Sequence, residues 1–507
     1  MPIVIIATPT TISTTQIQGT ISIIDNVSGV NTPTDAPKFT GMIGVNVRGN
    51  TTYPKSSYTV ETWSSPTVSL DTILLGMPSD NDWVLLAIYE DRSLLRNTLS
   101  FHLHEQMGRY TSRQRYCEVL VNSQYMGIYT FGEKIKRDSL RLDIAKLNPT
   151  DNSGNELTGG YIVKIDGGGA GWISAFTPPY AGAQQIKFEY EYPSAGDITP
   201  AQEDYIESYV DSFETELNGA NFQDTVLGWR RHGAENSFMD FMIMQEVSRN
   251  HEAYRKNTFL YKDKGTKLRP GPLWSMDAAW KNTMDCNSSK DTGWCYNFGA
   301  ACGTDNKLPP FWWQKLSTDA SFMEELKCRY TDYRKPGHVL DTTKVFAYMD
   351  SLKLLLNASS AVTRNFTQWP IWGVPLNNEP TPMATNYTEE LKNMKLFIKS
   401  RLAWLDTKWI STSPGCLPLS TKDVLFEHSV SIYPNPSSDQ LTIQIEGKVS
   451  GGEQYQISLL TIQGRIIHSL QTKNTSSQLD VSSLSNGVYM LTVSSSTGKF
   501  TGKFIKN

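Results

Sequence analysis

The sequence changes character near residue 410, and this change predicts two parts that fold separately. The stretch 411–416 reads Ser-Thr-Ser-Pro-Gly-Cys, a composition typical of a linker. From about residue 430 apolar and polar residues alternate in short runs, which is the period of β-strands. The tail has no helical period. We therefore predict a linker over 409–429 and a small all-β, Ig-like sandwich over 430–507.

The region before the linker carries strand patterns first and helical patterns later. Residues 1–200 contain many short strand-like runs, whereas residues 201–408 are mostly helical in pattern. Thr199 followed by Pro200 predicts the start of a helix, with the threonine as N-cap. The prediction for this region is an α+β fold.

Composition excludes several classes of protein. The 507 residues include 47 basic and 51 acidic side chains, for a net charge of −4, whereas dedicated nucleic-acid binders usually carry a basic surplus. The apolar run near the start, 3–7, is too short to cross a bilayer. We expect neither a nucleic-acid partner nor a membrane span.

The cysteine pattern favours disulfides. The chain has 6 cysteines, an even number, and none of them forms a CxxC pair. Cys286, Cys295 and Cys302 cluster in a loop-like stretch rich in Gly, Asn and Asp. Disulfide bonds are therefore preferred to a zinc site, and buried free thiols are the alternative.

One segment carries residue types that fit a particular reaction. Glu252 and Asn257 are followed by a predicted hairpin of two strands, over 258–262 and 267–273, and then by Asp277. Phosphoryl transfer needs an acidic group that orients the attacking hydroxyl, and hard oxygen ligands that hold Mg²⁺ on the phosphates. The spacing of Glu252 and Asn257 matches that of the acid and the amide in a protein-kinase catalytic loop. A helix that ends before a hairpin would give the same pattern without any such chemistry.

Separated blocks of sequence carry a resemblance to a known family. They are VRGNT at 47–51, PKSSY at 54–58, DWVLL at 82–86, DRSLLRN at 91–97, GEKIKRD at 132–138, GGYIVKID at 159–166 and the stretch 250–282. Together they resemble the CotH kinase family, which is named for a spore-coat kinase and is common in secreted proteins of Bacteroidetes. The resemblance implies an atypical protein-kinase-like, two-lobe domain, with an N-lobe over 1–200, a C-lobe over 201–408 and the nucleotide between them.

The resemblance also implies cofactors and roles for individual residues. ATP and Mg²⁺ would be bound. Glu252 and Asp277 would be catalytic, and Asn257 and Asp277 would hold the metal. The positions that it assigns to the nucleotide are Arg48, Lys55, Glu133 and Lys134.

Two positions depart from the family pattern. Glu252 stands where members usually carry Asp, and Ser275 stands where they usually carry Asp directly after the Trp. Asp277 is the nearest carboxylate to the second position. Two hypotheses follow: an ATP- and Mg²⁺-dependent kinase that phosphorylates a secreted or surface protein, or a catalytically degenerate pseudokinase that serves as a surface scaffold, adhesin or assembly component.

The tail resembles a second family. The motifs are SIYPNP at 431–436, LTIQGR at 460–465, LSNGVY at 484–489 and KFIK at 503–506. They resemble the type A C-terminal sorting domain of the type IX secretion system. The resemblance implies export through the periplasm and outer membrane of a Bacteroidetes-type bacterium, with the secretion machinery as a partner through residues 430–507. A secreted or cell-surface location agrees with the even number of cysteines.

Overall fold

The fold was analysed in a computed structural model. It describes residues 1–26, 29–49, 53–303, 305–358, 360–376, 378–412, 416, 429–446, 454–461, 466–495 and 498–507. The chain forms two compact units, 1–413 and 414–507, which are described separately. The predicted mixed α+β class is confirmed, as is the all-β nature of the C-terminal region. No described helix is both long enough and apolar enough to cross a membrane.

The first unit begins with a β-barrel. Its strands are β1 (Ile3–Ala7), β2 (Ile17–Ile24), β3 (Phe39–Arg48), β4 (Ser57–Ser65), β5 (Val68–Ser69), β6 (Asp82–Leu86), β7 (Gln114–Val121) and β8 (Gln124–Glu133). The order around the barrel is β3-β2-β1-β7-β8-β6-β4, and β4 pairs back with β3 to close the ring. β5 extends the sheet at β4. Neighbours are antiparallel except β1 and β7, which run parallel with Ile3 opposite Glu118.

Side chains that alternate along the strands fill the interior of the barrel. Val4 and Ile6 of β1 are fully buried, as are Ile43 and Val45 of β3, because every second residue points inward. Trp83 of β6 is also fully buried in this cluster. The barrel thus has a core of its own, which the strand-rich pattern of the sequence did not reveal.

A second sheet draws strands from both sides of residue 200. It contains β9 (Tyr161–Ile165), β10 (Gly171–Ile173), β11 (Lys187–Tyr192), β12 (Thr258–Lys262) and β13 (Arg269–Pro270). The order is β10-β11-β9-β12-β13, and all the neighbours are antiparallel. The predicted strand over 258–262 is confirmed as β12. The predicted strand over 267–273 is confirmed only in its centre, as the short β13.

The described helices pack against one another and against both sheets. They are α1 (Arg96–Gln106), α2 (Pro200–Asn218), α3 (Glu235–Ser248), α4 (Phe311–Leu316), α5 (Ala320–Tyr333), α6 (Thr342–Asn357), α7 (Ala361–Gln368) and α8 (Tyr387–Trp409). The predicted start of α2 is confirmed, since Thr199 and Gln202 form a reciprocal capping box there. α3 is the central helix: it is buried on nearly every side and contacts α1, α5 and α8.

A buried ion pair joins α3 to α8. Glu246 and Arg401 are both fully buried, and their charged atoms lie 3.3 Å apart. The Arg401 guanidinium also donates to the backbone carbonyls of Glu246 and Gly293, each at 2.8 Å. The Tyr254 hydroxyl donates to Glu246 at 3.1 Å. The charges are thus taken out of water but provided with several hydrogen-bond partners.

The C-terminal unit consists of two antiparallel sheets. Its strands are β14 (Ser429–Tyr433), β15 (Gln440–Glu446), β16 (Tyr455–Thr461), β17 (Ile466–Thr472), β18 (Ser476–Asp480), β19 (Gly487–Ser495) and β20 (Gly498–Lys506). One sheet has the order β14-β15-β18 and the other β17-β16-β19-β20. Alternating residues of both sheets, among them Ile443 and Ile457, form one buried core.

The first unit contains a disulfide bond in the loop after α3. Cys286 is bonded to Cys302, which confirms the disulfide prediction for this loop. Cys295, the third cysteine of the predicted cluster, is a buried free thiol, as is Cys117. Cys328 is also disulfide-bonded, and so is Cys416 of the C-terminal unit.

Removal of the Arg401 charge should destabilise the protein strongly. Arg401→Met leaves Glu246 buried without its counter-ion, so we expect the free energy of unfolding to fall by about 3–5 kcal/mol. The measurement is urea unfolding followed by tryptophan fluorescence. The matched control is Lys395→Met on the same helix, which breaks an exposed ion pair to Asp350 and should cost less than about 1 kcal/mol. Equal losses in the two variants would contradict the role given to the buried pair.

Candidate active site

A cleft of about 470 Å³ lies within the first unit, where the barrel, α1 and the second sheet meet. Arg48, at the end of β3, and the segment after β6 form the barrel side. Asn97 and Phe101 of α1 form another wall. The second sheet and the segments that follow α3 and β13 contribute Lys164, Asp166, Glu191, Glu252, Asn257, Phe259, Trp274, Ser275 and Asp277.

The three residues predicted for phosphoryl transfer line this one cleft. The Asn257 side-chain amide donates to the Glu252 carboxylate at 2.9 Å. The Ser275 hydroxyl donates to Asp277 Oδ1 at 3.3 Å. No ion pair is formed by Asp277 with any described residue. Among the residues that the structure describes, no cation therefore neutralises Asp277.

Backbone geometry explains how the segments present these side chains. Asn257 and Ser275 adopt left-handed backbone conformations, with φ of 47° and 52°. Asparagine tolerates this region well, whereas serine adopts it at a cost. Such conformations concentrate at functional sites because the surrounding structure holds them in place. Here they turn the chain as it enters β12 and as it leaves the hairpin.

The electrostatics of the site favour protonation of its carboxylates. Burial raises the pKa of Glu252 to about 7, and the negative charge of Asp277 adds to the rise, while hydrogen bonds from Asn257 and Ser275 oppose it. Burial also raises the pKa of Asp277, against a hydrogen bond from Asn97. Burial and mutual repulsion both disfavour ionisation of two neighbouring carboxyl groups. Such pairs are typical of sites that transfer a proton or bind a cation.

Asn97 is a site residue that the chemical reading of the sequence missed. Its side-chain oxygen accepts from the Met276 backbone N–H at 2.6 Å, and its amide donates to Asp277 at 3.3 Å. One α1 side chain thus fixes both the backbone and the carboxylate of the 275–277 segment. The residue closes the DRSLLRN block at 91–97, which was the available signal.

The four positions assigned to the nucleotide are not all in the cleft. Arg48 lines it, with its guanidinium 5.3 Å from the Trp274 ring centre. Lys134 also lines it, and its ammonium forms no hydrogen bond or ion pair with any described residue. Glu133 is fully buried elsewhere, where it accepts from the Arg113 backbone N–H at 3.0 Å.

Lys55 lies in the cleft wall, but its ammonium is occupied. It donates to the Ile128 carbonyl at 2.6 Å and to Asn365 Oδ1 at 3.1 Å, and it lies 4.7 Å from the Tyr129 ring centre. Burial lowers the pKa of Lys55 well below its usual range. The side chain therefore links the barrel to α7 in this conformation.

Lys164 is the cleft cation that the sequence prediction did not select. Its ammonium lies 3.2 Å from Glu191, and Glu189 and Asp166 are within 4 Å. The adjoining glycine-rich turn wraps its Gly167 and Gly168 backbone N–H groups around the Glu189 carboxylate. Lys164 is thus held at the cleft by a cluster of acids.

The raised pKa of Glu252 makes a prediction for stability. Its pKa lies above the unfolded value of 4.5, so its contribution to stability is fully present below pH 4.5 and is lost as pH rises through about 7. Glu252→Gln avoids this loss. Relative to the natural protein, we expect the free energy of unfolding of the variant to rise by about 1–2 kcal/mol as the pH goes from 5 to 8. Each pKa unit corresponds to about 1.4 kcal/mol, and the expected rise is reduced because the side chain is only half-buried. Urea unfolding of both proteins at the two pH values measures this change. The same difference in free energy of unfolding at pH 5 and at pH 8 would contradict the prediction.

Two family models match the chain. Residues 45–405 match the family model described as CotH kinase protein. Residues 431–507 match the model described as secretion system C-terminal sorting domain, which directs export through the type IX machinery to the cell surface or the medium. A search of curated proteins found no match. With most of its length covered by the first model, the chain belongs to the CotH kinase protein family.

Proposed function

We propose that the first unit is an ATP- and Mg²⁺-dependent phosphotransferase whose acceptor is a hydroxyl group on a secreted or surface protein. One observation carries the proposal: Glu252, Asn257 and Asp277 gather in one open cleft, although Asp277 is separated from the other two by a hairpin. A protein-kinase-like site needs these three groups.

The oxygen atoms available in the cleft fit Mg²⁺. Asn257 uses its amide nitrogen to bind Glu252, and its carbonyl oxygen accepts no hydrogen bond from a described residue. Asp277 uses Oδ1 for Asn97 and Ser275, which leaves Oδ2 without a described donor. Mg²⁺ in nucleotide enzymes is usually held by one or two carboxylates together with substrate phosphates. Bound there, Mg²⁺ would neutralise charge on the phosphates.

The same cleft has cations for phosphate and an apolar neighbour for a base. Lys164, Lys134 and Arg48 line it. A second cavity of about 360 Å³ shares Lys134, Ile135 and Glu191 with the cleft, and its walls include Leu147 and Ile162. We infer that the heterocyclic base enters this second cavity while the phosphates lie over the cations.

Glu252 would accept the proton of the attacking hydroxyl. Its pKa of about 7 leaves it half ionised at neutral pH, which is near the optimum for a general base. The Asn257 amide orients its carboxylate through the 2.9 Å hydrogen bond. Glu252 therefore supplies both the position and the proton affinity that the transfer requires.

The second candidate is a secreted pseudokinase that binds a partner protein without transfer. The observation that favours it is the engagement of the Lys55 ammonium with Ile128 and Asn365, because this leaves the phosphates without that lysine. Under this alternative the family fold would serve as a scaffold.

Removal of the metal ligands should abolish nucleotide binding that depends on Mg²⁺. ATP with Mg²⁺ should raise the melting temperature of the natural protein, and the Asn257→Ala/Asp277→Ala variant should lose this rise, since binding stabilises only through the folded site. Transfer of labelled phosphate should fall at least about 100-fold. The measurements are a thermal shift with and without Mg²⁺ and a transfer assay with exported proteins as acceptors.

The matched control for this experiment is Asp350→Asn, an exposed carboxylate on α6 outside the cleft. It should retain both binding and transfer. No shift of the natural protein at millimolar ATP would overturn the phosphotransferase and leave the scaffold. Binding without transfer would also favour the scaffold.

The rate of transfer should depend on pH through Glu252. Only the ionised carboxylate accepts a proton, so kcat/KM should rise with pH through an inflection near 7. Glu252→Gln should be inactive at every pH, whereas Asp350→Asn should keep the profile. A rate that stays flat from pH 6 to pH 8 would show that Glu252 is not the base.

A further inference from the structure

The loop 286–302, closed by the Cys286–Cys302 disulfide, lies against the segment that carries Glu252 and Asn257. That segment, 249–257, has no regular secondary structure of its own. It is therefore positioned by its contacts, and those of Arg249 and Arg255, near its two ends, include the disulfide-closed loop and the residues just after it.

Arg249 anchors the start of the segment. Its side chain is almost fully buried, and its guanidinium donates to the Gly293 carbonyl at 2.8 Å and to the Asn287 carbonyl at 3.1 Å. It also lies 5.1 Å from the Phe298 ring centre. All three partners belong to the disulfide-closed loop.

The last turn of α3 is held by the same loop. The backbone N–H groups of Cys295 and Tyr296 donate to the Glu246 carboxylate at 2.8 and 3.2 Å. Arg401 donates to the Asp291 carbonyl at 3.1 Å and to Gly293 at 2.8 Å. The loop thus completes the hydrogen bonding of the buried ion pair immediately before the segment.

Arg255 anchors the end of the segment. It is buried and donates to Asp305 and to the Lys307 carbonyl, each at 2.7 Å. Lys256 binds the same Asp305 carboxylate at 2.8 Å. The Asp305 backbone N–H in turn donates to the Cys302 carbonyl at 3.1 Å. The second anchor is therefore tied to the disulfide as well.

We propose that the disulfide-closed loop positions the segment 249–257, and that phosphotransfer depends on the oxidised state of Cys286 and Cys302. Arg249 and Arg255 are the positioning residues that transmit this dependence. Without the covalent closure the loop gains conformational freedom, and both anchors lose a fixed partner. The dependence of the rate rests on the proposed function, whereas the dependence of the segment's order does not.

The redox step is a thiol–disulfide exchange. The two cysteine thiols lose two protons and two electrons as the S–S bond forms, and a disulfide of an exporting-compartment oxidoreductase accepts them and becomes a dithiol. Thiols stay reduced in the cytoplasm, whereas disulfides form and persist in the oxidising compartments outside it. The site would therefore be assembled only once the chain has left the cytoplasm.

Hydrogen exchange tests the order of the segment without relying on activity. The full chain is compared with and without dithiothreitol, and amides of 249–257 are followed by mass spectrometry with the barrel strands as internal reference. We expect exchange of the segment to become at least about tenfold faster on reduction while the barrel is unchanged. Unchanged exchange in the segment overturns the proposal. Faster exchange in the barrel as well also overturns it, because the bridge would then stabilise the whole unit.

Kinetics test the consequence for the rate. Cys286→Ser/Cys302→Ser should lower kcat about 100-fold with KM for ATP within about threefold, because misplaced catalytic groups affect the transition state more than binding. Arg249→Gln should reproduce this in the oxidised protein, and Arg249→Lys should recover part of the rate. Cys328→Ser/Cys416→Ser is the control for loss of disulfide-bonded cysteines elsewhere and should keep the natural kcat. An unaltered rate in Cys286→Ser/Cys302→Ser overturns the proposal. An inactive natural protein would instead overturn the phosphotransferase, and the exchange experiment would still decide on the loop.

Discussion

The buried pair of Glu246 and Arg401 is the interaction on which the site depends most. Both side chains are fully excluded from water, so their attraction must offset a large desolvation cost. The cost is reduced because each charge has further hydrogen bonds: Glu246 from two backbone N–H groups, and Arg401 to backbone carbonyls. An apolar pair would pack as well but would not hold the disulfide-closed loop. The charges therefore tie the last turn of α3 to the loop that lies beside the segment of Glu252.

The backbone at the site adopts left-handed conformations at several positions. Arg249, Asn257 and Ser275 all have positive φ, a conformation that costs arginine and serine on the order of 1–3 kcal/mol each and that asparagine tolerates better. Glycine would remove the cost, but it has no guanidinium to bind Gly293, no amide to bind Glu252 and no hydroxyl to bind Asp277. The chain accepts strain at these positions because the side chains perform the positioning.

Local sequence patterns predicted where helices and strands lie better than which of them contact one another. The start of α2 at Thr199 follows from its capping pattern and the strand over 258–262 from the predicted hairpin, and both are confirmed. The parallel pairing of β1 with β7 could not be predicted, because alternation shows that a strand has a buried face but not which strand lies beside it. The site divides in the same way. Glu252, Asn257 and Asp277 meet as their chemistry suggests, whereas the burial of Glu133 and the capture of Lys55 by Asn365, 310 residues away, depend on tertiary contacts.

The two departures from the family pattern are physically consistent with each other. An aspartate at position 275 would place a third carboxylate beside Glu252 and Asp277 and would raise the pKa of Glu252 further above neutrality. Ser275 removes that charge, and its hydroxyl donates to Asp277 and so opposes the rise in the pKa of that acid. The longer glutamate then reaches the Asn257 amide at 2.9 Å and keeps a pKa of about 7, at which a base can still ionise. Under the proposed phosphotransferase function, the two residues together leave Glu252 as a proton acceptor in the cleft.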